Sequence, residues 1–239
     1  MGISCVADIV RVHGKDRADQ VALVEGERRV TWAELYNRSC RMAQAMRTAG
    51  VGPGDRVAFL DKNGIEHFEV AFGAALLNAA CVDVNWRLAP PEVEYIVNDA
   101  DAKVFVVGPD FVPVLDAIAD QLSSDMKIVV IGGHATATAY DEFFSACDPV
   151  DPKIPSAPSD VAFQLYSSGT TGRPKGVMLS NENFFCSAAA HRQRHVWGIG
   201  PDSVNLVAMP LFHIGGGGWA MVGLYEGCPS IIANSTPAP

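Results

Sequence analysis

RVAFLDKNGIEHFEVAFGAALLNAACVDV, from Arg56 to Val84, reads as strand, helix, strand. Residues 56–60 form a short apolar run of strand length, residues 66–78 an apolar segment of helix length, and residues 81–84 a second short strand. The alternation continues on both sides. Upstream, Val21-Ala22-Leu23-Val24 reads as a strand and Glu25-Gly26-Glu27 as a turn. Thr31-Trp32-Ala33-Glu34 is a capping box, in which a hydroxyl and a carboxylate three residues apart satisfy the free N–H groups of a helix start. The helix it opens carries Leu35, Tyr36, Ala43 and Met46 at helical spacing and stops at Gly50. Downstream, Pro90-Pro91-Glu92 opens a helix to about Asp99, and residues 103–107 and 127–131 read as strands around a helix over 114–122. This alternation predicts a three-layer α/β domain with a largely parallel sheet.

Composition narrows the function classes. Of the 239 residues, 49% are hydrophobic and 19% charged, which suits a globular chain with a substantial core. The formal net charge of −9 argues against a nucleic-acid binder, which presents a basic face. Cys5, Cys40, Cys81, Cys147, Cys186 and Cys228 show neither C-x-x-C spacing nor a zinc pattern, so they read as reduced thiols in or near the core, which points to the cytosol. The longest apolar run, residues 70–82, is shorter than the roughly 20 residues needed to cross a bilayer. A buried helix is the expected reading, and no transmembrane segment is expected.

Residues 132–139 read as a surface loop. Residues 148–158 hold Pro149, Pro152, Pro155 and Pro158 and read as a linker. The expected division is an α/β unit over 1–150, then a hairpin and the start of a second, incomplete α/β unit over 151–239. The strand-like residues 160–166 run into Ser167-Ser168-Gly169-Thr170-Thr171-Gly172-Arg173-Pro174-Lys175-Gly176, with four hydroxyls and three glycines. Glycine lets the backbone adopt positive φ and approach a ligand, and successive N–H groups in such a turn form a concave anion site. Arg173 and Lys175 add positive charge. A polyphosphate is the natural guest. The same composition also makes an ordinary hydroxyl- and glycine-rich turn with no ligand. It is not a Gly-Lys-Ser/Thr phosphate loop, because Pro174 precedes Lys175 and Gly176 follows it.

Taken with Tyr166, this stretch closely resembles the signature of the AMP-binding superfamily of adenylate-forming enzymes, which includes acyl-CoA synthetases and peptide-synthetase adenylation domains. The one departure is Ser167, where the family usually has threonine. Thr31-Trp32-Ala33-Glu34-Leu35 and Met209-Pro210-Leu211-Phe212-His213 resemble other family segments. Val84-Asn85-Trp86-Arg87-Leu88, followed by Pro91-Glu92-Val93-Glu94-Tyr95-Ile96, is similar to fatty acyl-CoA synthetases in particular.

The resemblance implies a layered α/β fold, the N-terminal portion of an adenylate-forming enzyme's large domain. It implies an AMP-forming fatty-acid–CoA ligase that uses ATP, Mg²⁺ and CoA, with an aryl-acid ligase and a non-catalytic nucleotide-binding module as alternatives. By analogy, Ser168, Gly169, Thr170, Thr171 and Gly172 hold the β- and γ-phosphates. Ser167 helps hold Mg²⁺, Lys175 supplies charge to the same loop, and His213 steers the substrate carboxylate at the end of the acyl pocket. Gly215-Gly216-Gly217-Gly218 reads either as a second phosphate loop or, preferably, as glycines that let a helix start pack closely. A further helix is expected over residues 182–197. The family's later motifs do not occur within the 239 residues. The chain is therefore expected to be a truncated segment, inactive alone, with exposed apolar surface through which copies self-associate.

Overall fold

The computed structural model describes residues 2–167, 172–185, 198–200 and 202–233. The chain begins with α1 (Val6–Asp16), the hairpin β1 (Val21–Glu25) and β2 (Arg28–Thr31), and α2 (Trp32–Thr48). It continues through β3 (Arg56–Leu60), α3 (Ile65–Leu76), β4 (Ala80–Asp83), α4 (Pro90–Asp99), β5 (Ala102–Val107), α5 (Val112–Ile118) and β6 (Lys127–Val130). After β7 (Thr138–Ala139) and α6 (Tyr140–Ser145) come β8 (Val161–Ser167), β9 (Lys175–Ser180) and α7 (Asn181–Phe185). The last elements are β10 (Asn205–Val207), α8 (Ile214–Glu226) and β11 (Ser230–Ile232).

Among the described residues the larger sheet has seven strands in the order β7-β6-β5-β3-β4-β8-β9. Every neighbouring pair is parallel except β8 and β9. Its central strands are apolar on both faces, as a sheet covered on both sides requires. Val57, Phe59, Val104 and Val106 pack in one cluster with α1, α2 and α3, while Ala58, Leu60, Phe105 and Val107 pack in a second with α4 and α5. The three-layer α/β arrangement follows the sequence expectation. The loop expected over 132–139 ends instead in β7, a two-residue strand that pairs with β6.

A smaller sheet has the order β10-β11-β1-β2, with β1 and β2 antiparallel and the other pairs parallel. Both sheets therefore combine strands from before and after the proline-rich stretch. That stretch is strapped to the helices. Arg11 makes a two-pronged ion pair with Asp151 at 2.8 and 3.0 Å, and Gln44 donates to the Val150 carbonyl.

The capping box forms at the start of α2: Glu34 N donates to Thr31 Oγ1 at 3.2 Å, and Thr31 N donates to Glu34 Oε2 at 2.8 Å. Every residue of α3 except Glu66 is buried, including Glu69, whose carboxylate accepts from Arg38 of α2 and from the Tyr140 hydroxyl at 2.7 Å. Burial raises the Glu69 carboxyl above its ordinary value, with the Arg38 guanidinium pulling the other way. No helix among the described residues is long and apolar enough to cross a membrane. Cys5, Cys40, Cys81, Cys147 and Cys228 are free thiols, four of them buried.

Candidate functional site

Ligands of parallel α/β sheets bind beyond the carboxyl ends of the strands. There, a cleft of about 510 Å³ opens between the ends of β4 and β8, helix α4, strand β9 and the start of α8. Ser167, Gly172 and His213, three residues singled out from the sequence, line it together with apolar Leu88, Ile96 and Phe212. Ser168, Gly169, Thr170 and Thr171 lie outside the described residues, as does most of the helix expected over 182–197, of which α7 is the described part.

The hairpin that carries the hydroxyl-rich segment shows why several of its residues are what they are. Ser167 ends β8 and pairs in register with Lys175, the first residue of β9. Lys175 is exposed and is not among the residues lining the cleft. Gly172 has φ +132°, a conformation other residues rarely adopt. At Gly176 a Cβ would sit 2.5 Å from Gln164 Nε2 and 3.0 Å from Tyr166 Cζ, so only glycine lets those two side chains cross the hairpin. Tyr166 donates its hydroxyl to Asp99 Oδ2 at 2.6 Å and accepts from Gln164 Nε2 at 3.0 Å. Burial raises the Tyr166 phenol above its ordinary value, and the Asp99 carboxylate adds to it. At the other end of the segment the Pro174 carbonyl lies 3.3 Å from the Tyr95 hydroxyl, and the Arg173 guanidinium sits 5.2 Å over the Tyr95 ring.

His213 caps α8. Its carbonyl accepts from Gly216 N at 2.9 Å and Gly217 N at 2.8 Å, and its ring packs on Phe212 with centroids 4.3 Å apart. A Cβ at Gly216 would fall 2.1 Å from the Pro210 carbonyl oxygen, and one at Gly217 would fall 2.9 Å from that of Leu211. The glycine run therefore allows close packing at a helix start, as the preferred sequence reading has it, and two of its N–H groups are already used within the helix. Asn63, beyond β3, ties down the turn before His213: Leu211 N donates to its Oδ1 and its Nδ2 donates to the Met209 carbonyl, both at 3.0 Å. On the same sheet edge the Asp61 carboxyl lies against Gly108, and burial pushes it up to about 6. Arg87 stacks 4.4 Å over the Trp86 ring and 5.5 Å over Phe212. Neither Asn63 nor Arg87 was picked out by residue-level reading, since each depends on a partner distant in sequence or on an aromatic surface formed only by folding.

Among the described residues, His67, Cys81 and Asp83 are the one group of side chains spaced to hold a metal ion. Two hydrogen bonds link them, and His67 Nδ1 is left buried without a partner. Asp83 Oδ1 lies 2.8 Å from His67 Nε2 and accepts from the Cys81 thiol at 3.2 Å, with Phe59 and Phe68 edge-on to the imidazole at 5.2 Å. Burial pushes the Cys81 thiol far above its ordinary value, and the Asp83 carboxylate adds to it. At the cleft, Mg²⁺ is compatible with a single hydroxyl such as that of Ser167, because this ion keeps most of its shell as water and substrate phosphate.

The chain belongs to the AMP-binding enzyme family, whose model matches residues 10–239. It is 36% identical over 202 residues to the fatty acid–[acyl-carrier-protein] ligase ScoC of Streptomyces coeruleorubidus, covering 83% of this chain and 37% of that protein. It is 36% identical over 229 residues to the 3-hydroxybenzoate–CoA ligase of Aromatoleum sp. (strain CIB), covering 93% of this chain and 42% of that protein. The crystal structure of the anthranilate CoA ligase AuaEII in complex with anthranoyl-AMP superposes with a TM-score of 0.90 at 26% identity, over 97% of this chain and 45% of that one. The chain thus spans about two fifths of the length of these curated relatives.

Proposed function

We propose that this chain forms the phosphate-binding part of an AMP-forming acid–thiol ligase. In the first half-reaction a carboxylate oxygen bonds to the α-phosphorus of ATP as the bond to pyrophosphate breaks. In the second, the thiol of CoA loses its proton, its sulfur bonds to the acyl carbon, and AMP leaves. The observation that carries this reading is the convergence of Ser167, Gly172 and His213 on one cleft at the carboxyl edge of the sheet. Little covalent chemistry is asked of the protein in the first step. It must hold two anions in reactive geometry and offset the charge that builds up.

In this reading Ser168 to Gly172 take the β- and γ-phosphates through backbone N–H groups and hydroxyls. Ser167 would help hold Mg²⁺, which would supply positive charge to offset that of the leaving pyrophosphate. Lys175 adds positive charge at the base of the hairpin. His213 orients the substrate carboxylate by hydrogen bonding and is not needed as a base, since a carboxylic acid is already ionised at neutral pH. Apolar Leu88, Ile96, Leu165, Phe212 and Ile214 along the cleft support a fatty acid as the acyl donor. The aryl-acid reading is favoured by the relatives named for hydroxybenzoate and anthranilate.

Titration of the chain with Mg²⁺–ATP tests the reading. Wild type is expected to bind, and a Thr171→Ala, Lys175→Ala variant to bind at least about tenfold more weakly, as loss of charged hydrogen bonds implies. Equal binding by the two would refute it. A panel of fatty and aromatic acids, scored by pyrophosphate release, separates the two substrate classes. The outer faces of β10 and β11 expose Leu206 and Ile231, paired in register, which supports self-association of the chain.

A further inference from the structure

Tyr95 and Asp99 lie four residues apart on α4, so their side chains project from one face of the helix. Each meets a different end of the 167–174 segment. Asp99 takes the Tyr166 hydroxyl at 2.6 Å, immediately before Ser167. The Tyr95 hydroxyl lies 3.3 Å from both the Pro174 carbonyl and Asp99 Oδ1, immediately before Lys175. Ser167 and Lys175 form the last rung of the β8–β9 ladder. The two contacts therefore sit where regular pairing stops and the hydroxyl-rich segment begins.

We infer that Tyr95 and Asp99 are positioning residues that fix the two ends of the 167–174 segment, making α4 a determinant of nucleotide affinity. This rests on the reading of that segment as the phosphate site. The bond from Tyr166 to Asp99 is short and charge-assisted, the stronger kind of hydrogen bond. Tyr166 is itself held from behind, because Gln164 Nε2 donates to its oxygen at 3.0 Å and Gln164 Oε1 accepts from Arg56 Nε at 3.0 Å. On the other strand, Arg173 covers the Tyr95 ring at 5.2 Å. Asp99 and Arg173 are exposed and outside the two hydrophobic clusters, while the half-buried Tyr95 ring packs against the second and its hydroxyl alone makes the contacts to Pro174 and Asp99. Removing these contacts leaves the core intact and frees only the ends of the segment. An anion cradle made of backbone N–H groups depends on such fixing, since a site preorganised before binding does not spend affinity on ordering itself.

The test uses the whole chain and the variants Tyr166→Phe, Asp99→Asn, Tyr95→Phe and the Tyr166→Phe, Asp99→Asn double. Trypsin cleavage after Lys175 under native conditions reads local opening, the urea midpoint reads global stability, and equilibrium dialysis reads Mg²⁺–ATP affinity. Each single variant is expected to be cleaved about tenfold faster and to bind nucleotide about tenfold more weakly, with an unchanged urea midpoint. The double variant is expected to lose less than the sum of its singles, because both act on the Tyr166–Asp99 bond. Wild-type cleavage rates in the single variants, or additive losses in the double, would overturn the inference. A wild-type chain that binds no nucleotide, with cleavage accelerated in the variants, would leave the anchoring in place and defeat the phosphate-site reading.

Discussion

Asn63 grips Leu211 across most of the chain: the Leu211 N–H donates to the Asn63 side-chain oxygen at 3.0 Å, while the Asn63 amide donates to the Met209 carbonyl. One buried side chain thus satisfies both sides of the turn that delivers His213 to the cleft. Asn63→Ala leaves the buried Leu211 N–H unpaired, at about 1–3 kcal/mol for such a group, and removes the donor to the part-buried Met209 carbonyl. The expected result is a loss of about 2 kcal/mol in urea unfolding, with the m-value unchanged.

The glycine run offers a paired comparison. A methyl group on Gly216 meets the Pro210 carbonyl oxygen at 2.1 Å, whereas one on Gly215 approaches only Met209 Sδ, at 3.7 Å. Gly216→Ala is expected to destabilise the chain by about 1–3 kcal/mol through forced backbone movement. Gly215→Ala, in contrast, is expected to unfold at or slightly above the wild-type temperature, because alanine favours a helix. Thermal melts of the two variants decide the matter.

Sequence reading captured the parts of this fold whose cause is local. Residues 56–60 and 90–99 match β3 and α4 because apolar runs, prolines at a helix start and capping residues act within a few positions. Helix α1 escaped because Cys5 is an unusual cap. The available signal was Asp8, whose carboxylate accepts from the Ser4 and Cys5 N–H groups, with Val6, Ile9 and Val10 at helical spacing. Strands β2, β10 and β11 are three or four residues long and owe their conformation to neighbours elsewhere in the chain. Strand β9 sits at an edge with Val177 and Met178 exposed, so it lacks the alternating burial that reveals a strand. At the site, Ser167, Gly172 and His213 were legible from a motif. The contacts of Tyr95, Asp99 and Asn63 were not, because hydrogen bonds between distant segments leave no periodic trace.

Asp61 predicts a pH dependence of unusual sign. Burial raises its folded value from the ordinary 3.8 to about 6, so the native state binds the extra proton. Its contribution is therefore fully present below pH 3.8 and lost as pH rises through 6. Asp61→Asn is expected to be more stable than wild type above pH 6, by about 1 kcal/mol once solvent screening of a partly exposed group is allowed for. The advantage should shrink as the pH falls toward 4. Urea titrations at several pH values measure it, and a variant less stable than wild type at pH 7 would contradict it.

The ion pair of Arg38 with buried Glu69 is expected to matter more than a surface pair. Arg38→Ala leaves the Glu69 carboxylate with Tyr140 as its remaining donor, and stranding a buried charge costs about 3–5 kcal/mol. Because burial already raises the Glu69 carboxyl, the penalty should ease in acid, where the group takes up a proton. Calorimetry of the variant at neutral and acid pH tests this.

If Leu206 and Ile231 drive self-association, the double change Leu206→Lys, Ile231→Lys should shift the chain toward monomer in sedimentation equilibrium. An unaltered mass distribution would assign any association to another surface.

Strand β1 pairs with β11, joining Leu23 to Ser230. The hairpin of β1 and β2 therefore has no larger sheet to join until nearly all of this sequence has emerged from the ribosome. Contacts of such wide separation form slowly and leave the early segments open to mispairing meanwhile. Until β11 has been made, one edge of β1 stays open.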